Sequence, residues 1–287
     1  MAPRRAIRRE FSFQGRTSSS CRRSTFGIWN STGPCPRSGQ TARTTENAEG
    51  VVDCAWAPFA LVLSRIDRYA VGMDAEFWLS RWREGRIGFH EGRPNDLLVS
   101  HARALGPPGR VLVPLSGKTE DMAYLRSLGH EVVGIELAEA AAEEFFREHG
   151  LEAAPSPRGA LVERSAGGIT ILQGDFFDAR PEDVGAITAF YDRAAIVALP
   201  PELRPRYAAH LRELAGEDAP GLVICFEYPQ ERMAGPPFSV GEDELRRYFP
   251  AVERLEDRRT EGPQSRASGI DMRERLYLVG GHRAEPI

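Results

Sequence analysis

The chain has 287 residues, of which 41% are hydrophobic, and it carries 37 Lys and Arg against 41 Asp and Glu. This length and apolar content are sufficient for one large packed domain or two small ones. The acidic balance argues against a duplex nucleic-acid partner, and the absence of an apolar run of eighteen residues argues against a membrane span.

The charge is unevenly distributed along the chain. Residues 1–72 hold eleven Arg against five acidic residues, whereas residues 73–287 hold 26 Lys and Arg against 36 Asp and Glu. Residues 1–50 are rich in Arg, Ser, Thr and Gly and lack a sustained helical or strand period, so they cannot bury enough apolar surface to offset chain entropy. We therefore expect a disordered, targeting-like or spurious extension over 1–72 and the functional domain over 73–287.

Three explanations of the extension remain open. It fits a mitochondrial transit peptide, a basic interaction arm, or an over-long gene model whose true start is Met73. We favour the last, because the sequence is organised only from Met73 onward. Cys225 is the one cysteine of the domain, and the cysteine spacing fits neither a zinc site nor a disulfide framework. We expect a reduced, cytoplasmic domain without a metal.

From Met73 onward, helical and strand patterns alternate. Two helices come first, over 74–84 with Asp74 as N-cap and over 95–104 starting at Asn95. Further helices are predicted at 119–129, 138–150, 201–216 and 241–248. Strands are predicted at or within 110–115, 131–136, 168–177, 186–193, 221–228, 251–257 and 273–280. Residues 151–168, with two Pro and three Gly, are predicted to be a loop or insertion.

This alternation predicts an α/β fold with a mainly parallel sheet of seven strands and helices on both faces. The last two strands have no long helix between them, which indicates an antiparallel edge at the C-terminal end. Right-handed crossovers leave a ligand crevice at the carboxyl ends of the parallel strands.

The first strand runs into Ser116-Gly117-Lys118, a turn that resembles the end of a phosphate-binding loop. A Walker loop would need a glycine where Leu112 stands, and a dinucleotide fingerprint would need two glycines besides Gly117. Both motifs therefore fail. A short turn with one glycine lacks the nests that cradle phosphates, so a ligand portion without phosphate is expected there.

Acidic and aromatic residues follow the next strands. Glu136 ends the second strand, where a carboxylate accepts hydrogen bonds from a ribose diol in both NAD and S-adenosylmethionine folds. After the third strand, Asp175 and Phe176 suit the exocyclic amine and the ring face of an adenine. Alternatively, Asp175 caps the following turn.

Two charged residues and two indoles complete the candidate site. Asp192 and Arg193 end the fourth strand, beside the expected reactive end of a cofactor, unless they form a structural salt bridge. Trp78 and Trp82 lie four residues apart on one helix face, which suits core packing or cation–π attraction to a sulfonium.

Five blocks of sequence together resemble the thiopurine S-methyltransferase family, particularly its bacterial members. In order, they are FWLSRWREGRIGFH, VLVPLSGKTEDMAYLRSLGHEVVGIELAEAAAEEFF, QGDFF, YDRAAIVALPPELRPRYAAHL and GPPFSV. The resemblance covers about residues 74–280 and implies a Rossmann-like class I methyltransferase that uses S-adenosylmethionine. It also implies a monomer with a small-molecule thiol substrate.

By position, the resemblance assigns roles to individual residues. The residues that it implies for cofactor binding are Trp78, Trp82, Leu115, Glu136, Asp175, Phe176 and Arg193. It implies that Phe89 contacts substrate and that Arg193 is also the catalytic arginine near the transferred methyl. Ser116 replaces the cysteine that the family usually has in its P-L-C-G-K turn, and Arg266 is one candidate for a second acceptor-side arginine.

The implied reaction is an in-line attack of an acceptor sulfur on the cofactor's methyl group, with no enzyme nucleophile. Acceptors such as thiopurines and aromatic thiols are already largely ionised near neutral pH, and we expect Arg193 to stabilise the thiolate. Three alternatives remain: a methyltransferase of halides, selenium or tellurium compounds, or natural-product oxygens; an NAD-dependent oxidoreductase, suggested by Glu136; and a non-catalytic binding protein that works through residues 1–45.

Overall fold

The computed structural model describes residues 75–88, 90–260 and 269–281. Its helices are α1 Ala75–Arg83, α2 Asp96–His101, α3 Glu120–Ser127, α4 Glu139–Glu148, α5 Pro181–Val184, α6 Arg204–Ala215 and α7 Glu242–Tyr248. Its strands are β1 Arg110–Pro114, β2 Glu131–Glu136, β3 Ser156–Arg158, β4 Leu161–Ala166, β5 Ile169–Gln173, β6 Ala189–Arg193, β7 Gly221–Glu227, β8 Val252–Arg259 and β9 Arg273–Val279. The predictions for residues 1–72 and for Asp74 lie outside the described residues.

One sheet runs through the described domain in the order β3-β4-β5-β2-β1-β6-β7-β9-β8. Its five central strands, from β5 to β7, are parallel, and β9 is antiparallel to both β7 and β8. The predicted α/β fold and its antiparallel C-terminal edge are therefore confirmed. No helix in the described ranges is long and apolar enough to cross a membrane.

The sheet has nine strands rather than the predicted seven, because residues 151–168, predicted to be a loop or insertion, contain two further strands. They form the hairpin β3–β4, and β4 pairs antiparallel with β5 through the turn at Gly167 and Gly168. Both glycines have positive φ, at 63° and 83°, as the tightest hairpin turns require. Arg164 of β4 is buried and forms ion pairs with α4, so the strand lacks the clean polar and apolar alternation that sequence patterns detect.

Helices cover both faces of the sheet and enclose two apolar cores. The core beneath α6 and α7 contains Leu112, Val133, Phe190, Tyr207, Leu211 and Leu245. The core beneath α2, α3 and α4 contains Leu98, Val111, Met122, Phe145 and Tyr191. Neighbouring residues such as Val111 and Leu112 contribute to opposite cores because side chains alternate along a strand.

Local capping fixes the helices that flank the carboxyl edge of the sheet. Asn95, where the predicted helix starts, caps α2 by accepting a hydrogen bond of 2.9 Å from the Leu97 amide. Thr119 caps α3 through the Asp121 amide at 3.3 Å. These two caps position the chain on either side of the crevice at the ends of β1 and β6.

Candidate active site

A cavity of about 620 Å³ lies at the carboxyl ends of the parallel strands, within the size range of small-ligand sites. The residues that form its wall come from α1, from the ends of β1, β2, β6 and β7, and from the adjacent ends of β8 and β9. The wall includes six of the predicted site residues, namely Trp78, Trp82, Leu115, Glu136, Phe176 and Arg193.

The turn after β1 forms the floor of one part of the cavity. Leu115 and Gly117 have positive φ values of 45° and 54°. For Leu115 this backbone conformation is strained, and such strain concentrates at functional sites. Trp82 lies over the turn, since a Cβ atom on Gly117 would stand 3.4 Å from its Cζ2 atom. Gly117 therefore permits a close approach between the turn and the indole.

Glu136 is a buried carboxylate at the end of β2 whose two oxygens each accept a backbone hydrogen bond. Oε2 accepts from the Gly117 amide and Oε1 from the Ala138 amide, both at 2.7 Å. Burial raises the pKa of Glu136, while the amides of Ala138, Gly117 and Leu137 counteract that rise. A carboxylate offers about four acceptor positions, so these amides leave acceptor capacity for a diol on the cavity side.

Asp175 and Phe176, predicted for the adenine side, differ in their placement. Phe176 is buried on the cavity wall, with its ring centroid 5.1 Å from that of Tyr207. Asp175 caps a short 3-10 turn, accepting a hydrogen bond of 2.9 Å from the Phe177 amide. The cavity wall formed by the described residues includes Phe176 and Phe177 but not Asp175. A contact between Asp175 and adenine therefore stays a prediction, whereas the alternative that Asp175 caps the following turn matches the geometry.

Arg193 lies at the end of β6 between two carboxylates. Its Nη2 atom is 2.6 Å from Glu91, and its Nη1 atom is 3.3 Å from Asp121 and 3.5 Å from the Thr119 hydroxyl. Burial lowers the pKa of Arg193, but Asp121 and the other negative neighbours outweigh burial, and the pKa is raised. Ala194, which follows it, has a strained φ of 63°. The guanidinium is thus a fixed, charged group on the cavity wall.

Asp192 does not form the salt bridge with Arg193 that the sequence left open. Its carboxylate accepts hydrogen bonds from the Tyr207 hydroxyl at 2.7 Å and from the Ala195 and Ile196 amides at 3.2 and 3.1 Å. Neighbouring strand residues point to opposite faces, which separates the two side chains. Burial raises the pKa of Asp192 to about 6 despite these donors.

Lys118 binds a helix rather than facing the large cavity. Its ammonium group is 2.9 Å from Glu144 and 2.7 Å from Glu148 of α4, and its side chain is almost fully buried. Burial alone would lower the pKa of Lys118, but the hydrogen bonds to Glu148 and Glu144 raise it. The lysine therefore has a structural partner, in agreement with the failure of the Walker motif.

The part of the cavity beyond Arg193 is mainly apolar. Its wall comes from β7, β9 and the loop after β7, with Ile224, Phe226, Pro236, Pro237 and Met272. An ion pair of 2.6 Å between Arg258 of β8 and Glu274 of β9 also lines it. This region suits a flat, apolar molecule with a polar edge.

Two predicted residues, Phe89 and Arg266, lie outside the described residues, so their roles stay predictions. Conversely, the structure adds Arg81, Glu91 and Asp121 to the site or its support. Arg81 had a detectable signal, because it stands three residues after Trp78 on the same helix face. Asp121 had none, since an acid in the first turn of a helix usually only complements the helix dipole.

Comparison with known proteins identifies the relatives of this chain. The family model for thiopurine S-methyltransferase (TPMT) matches residues 73–281. A thiopurine S-methyltransferase of Methylococcus capsulatus is 44% identical over 72% of this chain and 97% of its own length. One of Pseudomonas putida is 44% identical over 72% of this chain and 99% of its own length.

A solved structure reported as "Conversion of a Disulfide Bond into a Thioacetal Group during Echinomycin Biosynthesis" shares the fold. Its TM-score is 0.50 at 17% identity, and the match covers 73% of this chain and 94% of the other.

Proposed function

Since the chain belongs to the thiopurine S-methyltransferase family, we propose that it is an S-adenosylmethionine-dependent S-methyltransferase acting on small thiols such as thiopurines or aromatic thiols. The observation that carries this proposal is a single cavity whose wall holds an indole-bearing helix, the Glu136 carboxylate and the Arg193 guanidinium. An NAD-dependent oxidoreductase is not favoured, because Gly117 stands alone where the dinucleotide fingerprint needs three glycines.

The residues present fit S-adenosylmethionine. Gly117 leaves a cradle beneath Trp82 that a Cβ atom would narrow, and Glu136 keeps acceptor positions for a ribose diol. Phe176 provides an apolar face for the adenine ring, and Trp78 and Trp82 provide π-faces for a positively charged sulfur. When bound, this cofactor supplies a methyl group activated by a sulfonium.

The residues of the chain orient the acceptor and stabilise its charge. Arg193 lines the cavity, and its positive charge favours the ionised form of a thiol, which is the reactive form. The apolar wall beyond Arg193 excludes water and packs against a flat ring. An aromatic thiolate therefore finds an apolar surface for its ring and a fixed cation for its sulfur.

Calorimetric titration with S-adenosylhomocysteine tests the cofactor assignment before any acceptor is chosen. We expect saturable binding with one site per chain. Labelled S-adenosylmethionine with a panel of thiopurines, aromatic thiols, selenite and halides then tests the acceptor class. Failure to bind S-adenosylhomocysteine would overturn the enzyme assignment, and transfer to halide or selenite but not to thiols would overturn the acceptor assignment.

We also propose that the protein acts as a cytoplasmic monomer. The large hydrophobic side chains exposed in the described ranges are Val99 and Leu128, which do not amount to an obligate dimer interface. Cys225, the cysteine within the described residues, is free and buried, which suits a reducing compartment. Sedimentation at several concentrations and fluorescence imaging of the tagged full chain test the two statements.

A further inference from the structure

Arg81 shares one face of α1 with the two tryptophans of the cavity. Trp78, Arg81 and Trp82 are spaced three and four residues apart, and all three line the cavity. The guanidinium carbon of Arg81 stands 4.6 Å from the centre of the Phe77 ring, which supports its position by a cation–π contact.

Arg81 differs from the other arginines of the cavity in its charge partners. Arg93, Arg193 and Arg258 each form an ion pair with a carboxylate, at 2.6 Å in each case. Arg81 forms no ion pair with any carboxylate of the described ranges, and its buried Nε atom has no hydrogen-bond acceptor there. The cavity thus holds one guanidinium that has no carboxylate partner and whose Nε donor has no acceptor within the described residues.

The position of Arg81 indicates which part of a ligand would compensate it. A ribose held by Glu136 and an adenine packed on Phe176 would lie over β2 and β5, and the amino-acid portion of the cofactor would then extend towards β1 and β6. Trp82, the next residue after Arg81, covers Gly117 in the turn after β1. A guanidinium fork matches a carboxylate in two parallel hydrogen bonds.

We infer that Arg81 binds the α-carboxylate of the methionine portion of S-adenosylmethionine. This inference rests on the proposed function and adds a ligand contact to it. Two other arginines of the cavity already hold carboxylates of the chain, Asp121 and Glu91 for Arg193 and Glu274 for Arg258, whereas Arg81 holds none in the described ranges.

The test compares Arg81→Gln with the parent chain in calorimetric titrations of two ligands, S-adenosylhomocysteine and its decarboxylated analogue. We expect the variant to bind S-adenosylhomocysteine about 10- to 100-fold more weakly, the range for loss of a charged hydrogen-bonded contact. The decarboxylated analogue should bind both proteins equally. Arg81→Lys, which keeps the charge, should recover part of the lost affinity.

Arg83→Gln is the matched control, because Arg83 lies on the same helix, is 60% exposed and pairs with Glu76 outside the cavity. It should bind both ligands as the parent does. Equal weakening of both ligands by Arg81→Gln, or an unchanged affinity for S-adenosylhomocysteine, would overturn the inference. A variant whose only defect is a higher KM for an anionic acceptor would also overturn it. If the parent itself binds neither ligand, the proposed function fails first, and this inference with it.

Discussion

The guanidinium of Arg193 and the carboxylate of Asp121, 72 positions apart in the chain, meet at 3.3 Å between Nη1 and Oδ2. Asp121 is fully buried and also accepts hydrogen bonds from the Tyr191 hydroxyl at 3.0 Å and the Asn95 amide at 2.7 Å. One carboxylate therefore joins the start of α3, the end of β6 and the cap of α2. It is a positioning residue for Arg193 rather than a group that faces substrate.

Asp121→Asn should lower kcat/KM for an aromatic thiol by about 10- to 100-fold, because a neutral amide directs an N–H group at the guanidinium or loses its contact. S-adenosylhomocysteine should still bind within about three-fold of the parent affinity, since Asp121 does not line the cavity itself and this ligand carries no anionic acceptor sulfur. Steady-state kinetics measures kcat/KM, and calorimetry measures the affinity for S-adenosylhomocysteine. Tyr191→Phe, which removes a different hydrogen bond to Asp121, is the control, and a similar loss of kcat/KM in it would indicate a general structural effect.

Arg193→Gln should lower kcat/KM for an ionised aromatic thiol by about 100-fold, the magnitude typical of losing one preorganised donor at a charged reacting atom. The measurement is initial rates over a series of thiols of different acidity, with urea unfolding to verify folding. An unchanged kcat/KM for the most acidic thiol would exclude stabilisation of the thiolate by this residue.

Glu91→Gln should strengthen the binding of an anionic acceptor, whereas Arg193→Gln should weaken its reaction. The Glu91 carboxylate is 40% exposed and neutralises part of the charge on Arg193, so its removal strengthens attraction to an anionic sulfur. We expect KM for an ionised thiol to fall roughly two- to five-fold at low salt, and the effect to shrink as salt is added. Glu84→Gln, which removes an exposed pair with Arg86, should leave KM unchanged. A rise in KM for the Glu91 variant would contradict the charge argument.

Glu136→Gln should weaken S-adenosylhomocysteine binding by roughly 10- to 100-fold, because an amide offers one acceptor oxygen and turns N–H groups towards a backbone amide. Calorimetric titration measures the change. The control is Glu131→Gln at the other end of the same strand, where the carboxylate pairs with Arg110 on the surface. Equal affinity of the Glu136 variant and the parent would remove the ribose-binding role.

The raised pKa of Asp192 predicts a pH-dependent stability. Its folded-state pKa of about 6 lies above the ordinary value of 3.8 for an aspartate, so proton binding favours the folded state. The stabilisation is complete below the unfolded pKa and is lost as the pH rises through the folded pKa, a total of about 3 kcal/mol. Between about pH 5 and pH 8, the free energy of unfolding of the parent should fall by about 1 kcal/mol more than that of Asp192→Asn.

Urea unfolding of both proteins at the two pH values gives this difference. A parallel pH dependence of the parent and Asp192→Asn would show that Asp192 is ionised in both states.

Apart from α5, β3 and β4, the sequence by itself determined the order of helices and strands, the antiparallel C-terminal edge and the residues that end β2 and β6. These features follow from local patterns, because strand and helix periodicities and caps depend on near neighbours in the chain. The class of cofactor came from the resemblance to the thiopurine S-methyltransferase family, because a carboxylate at the position of Glu136 is shared by NAD and S-adenosylmethionine folds.

Only the tertiary structure decided which charges pair. Arg193 binds Asp121 and Glu91 rather than its neighbour Asp192, and Arg81 is left without a carboxylate in the described ranges. It also decided that residues 151–168 extend the sheet as a hairpin. The physical reason is that strand pairing and the distances between side chains depend on the lateral order of the strands, which joins residues far apart in the chain.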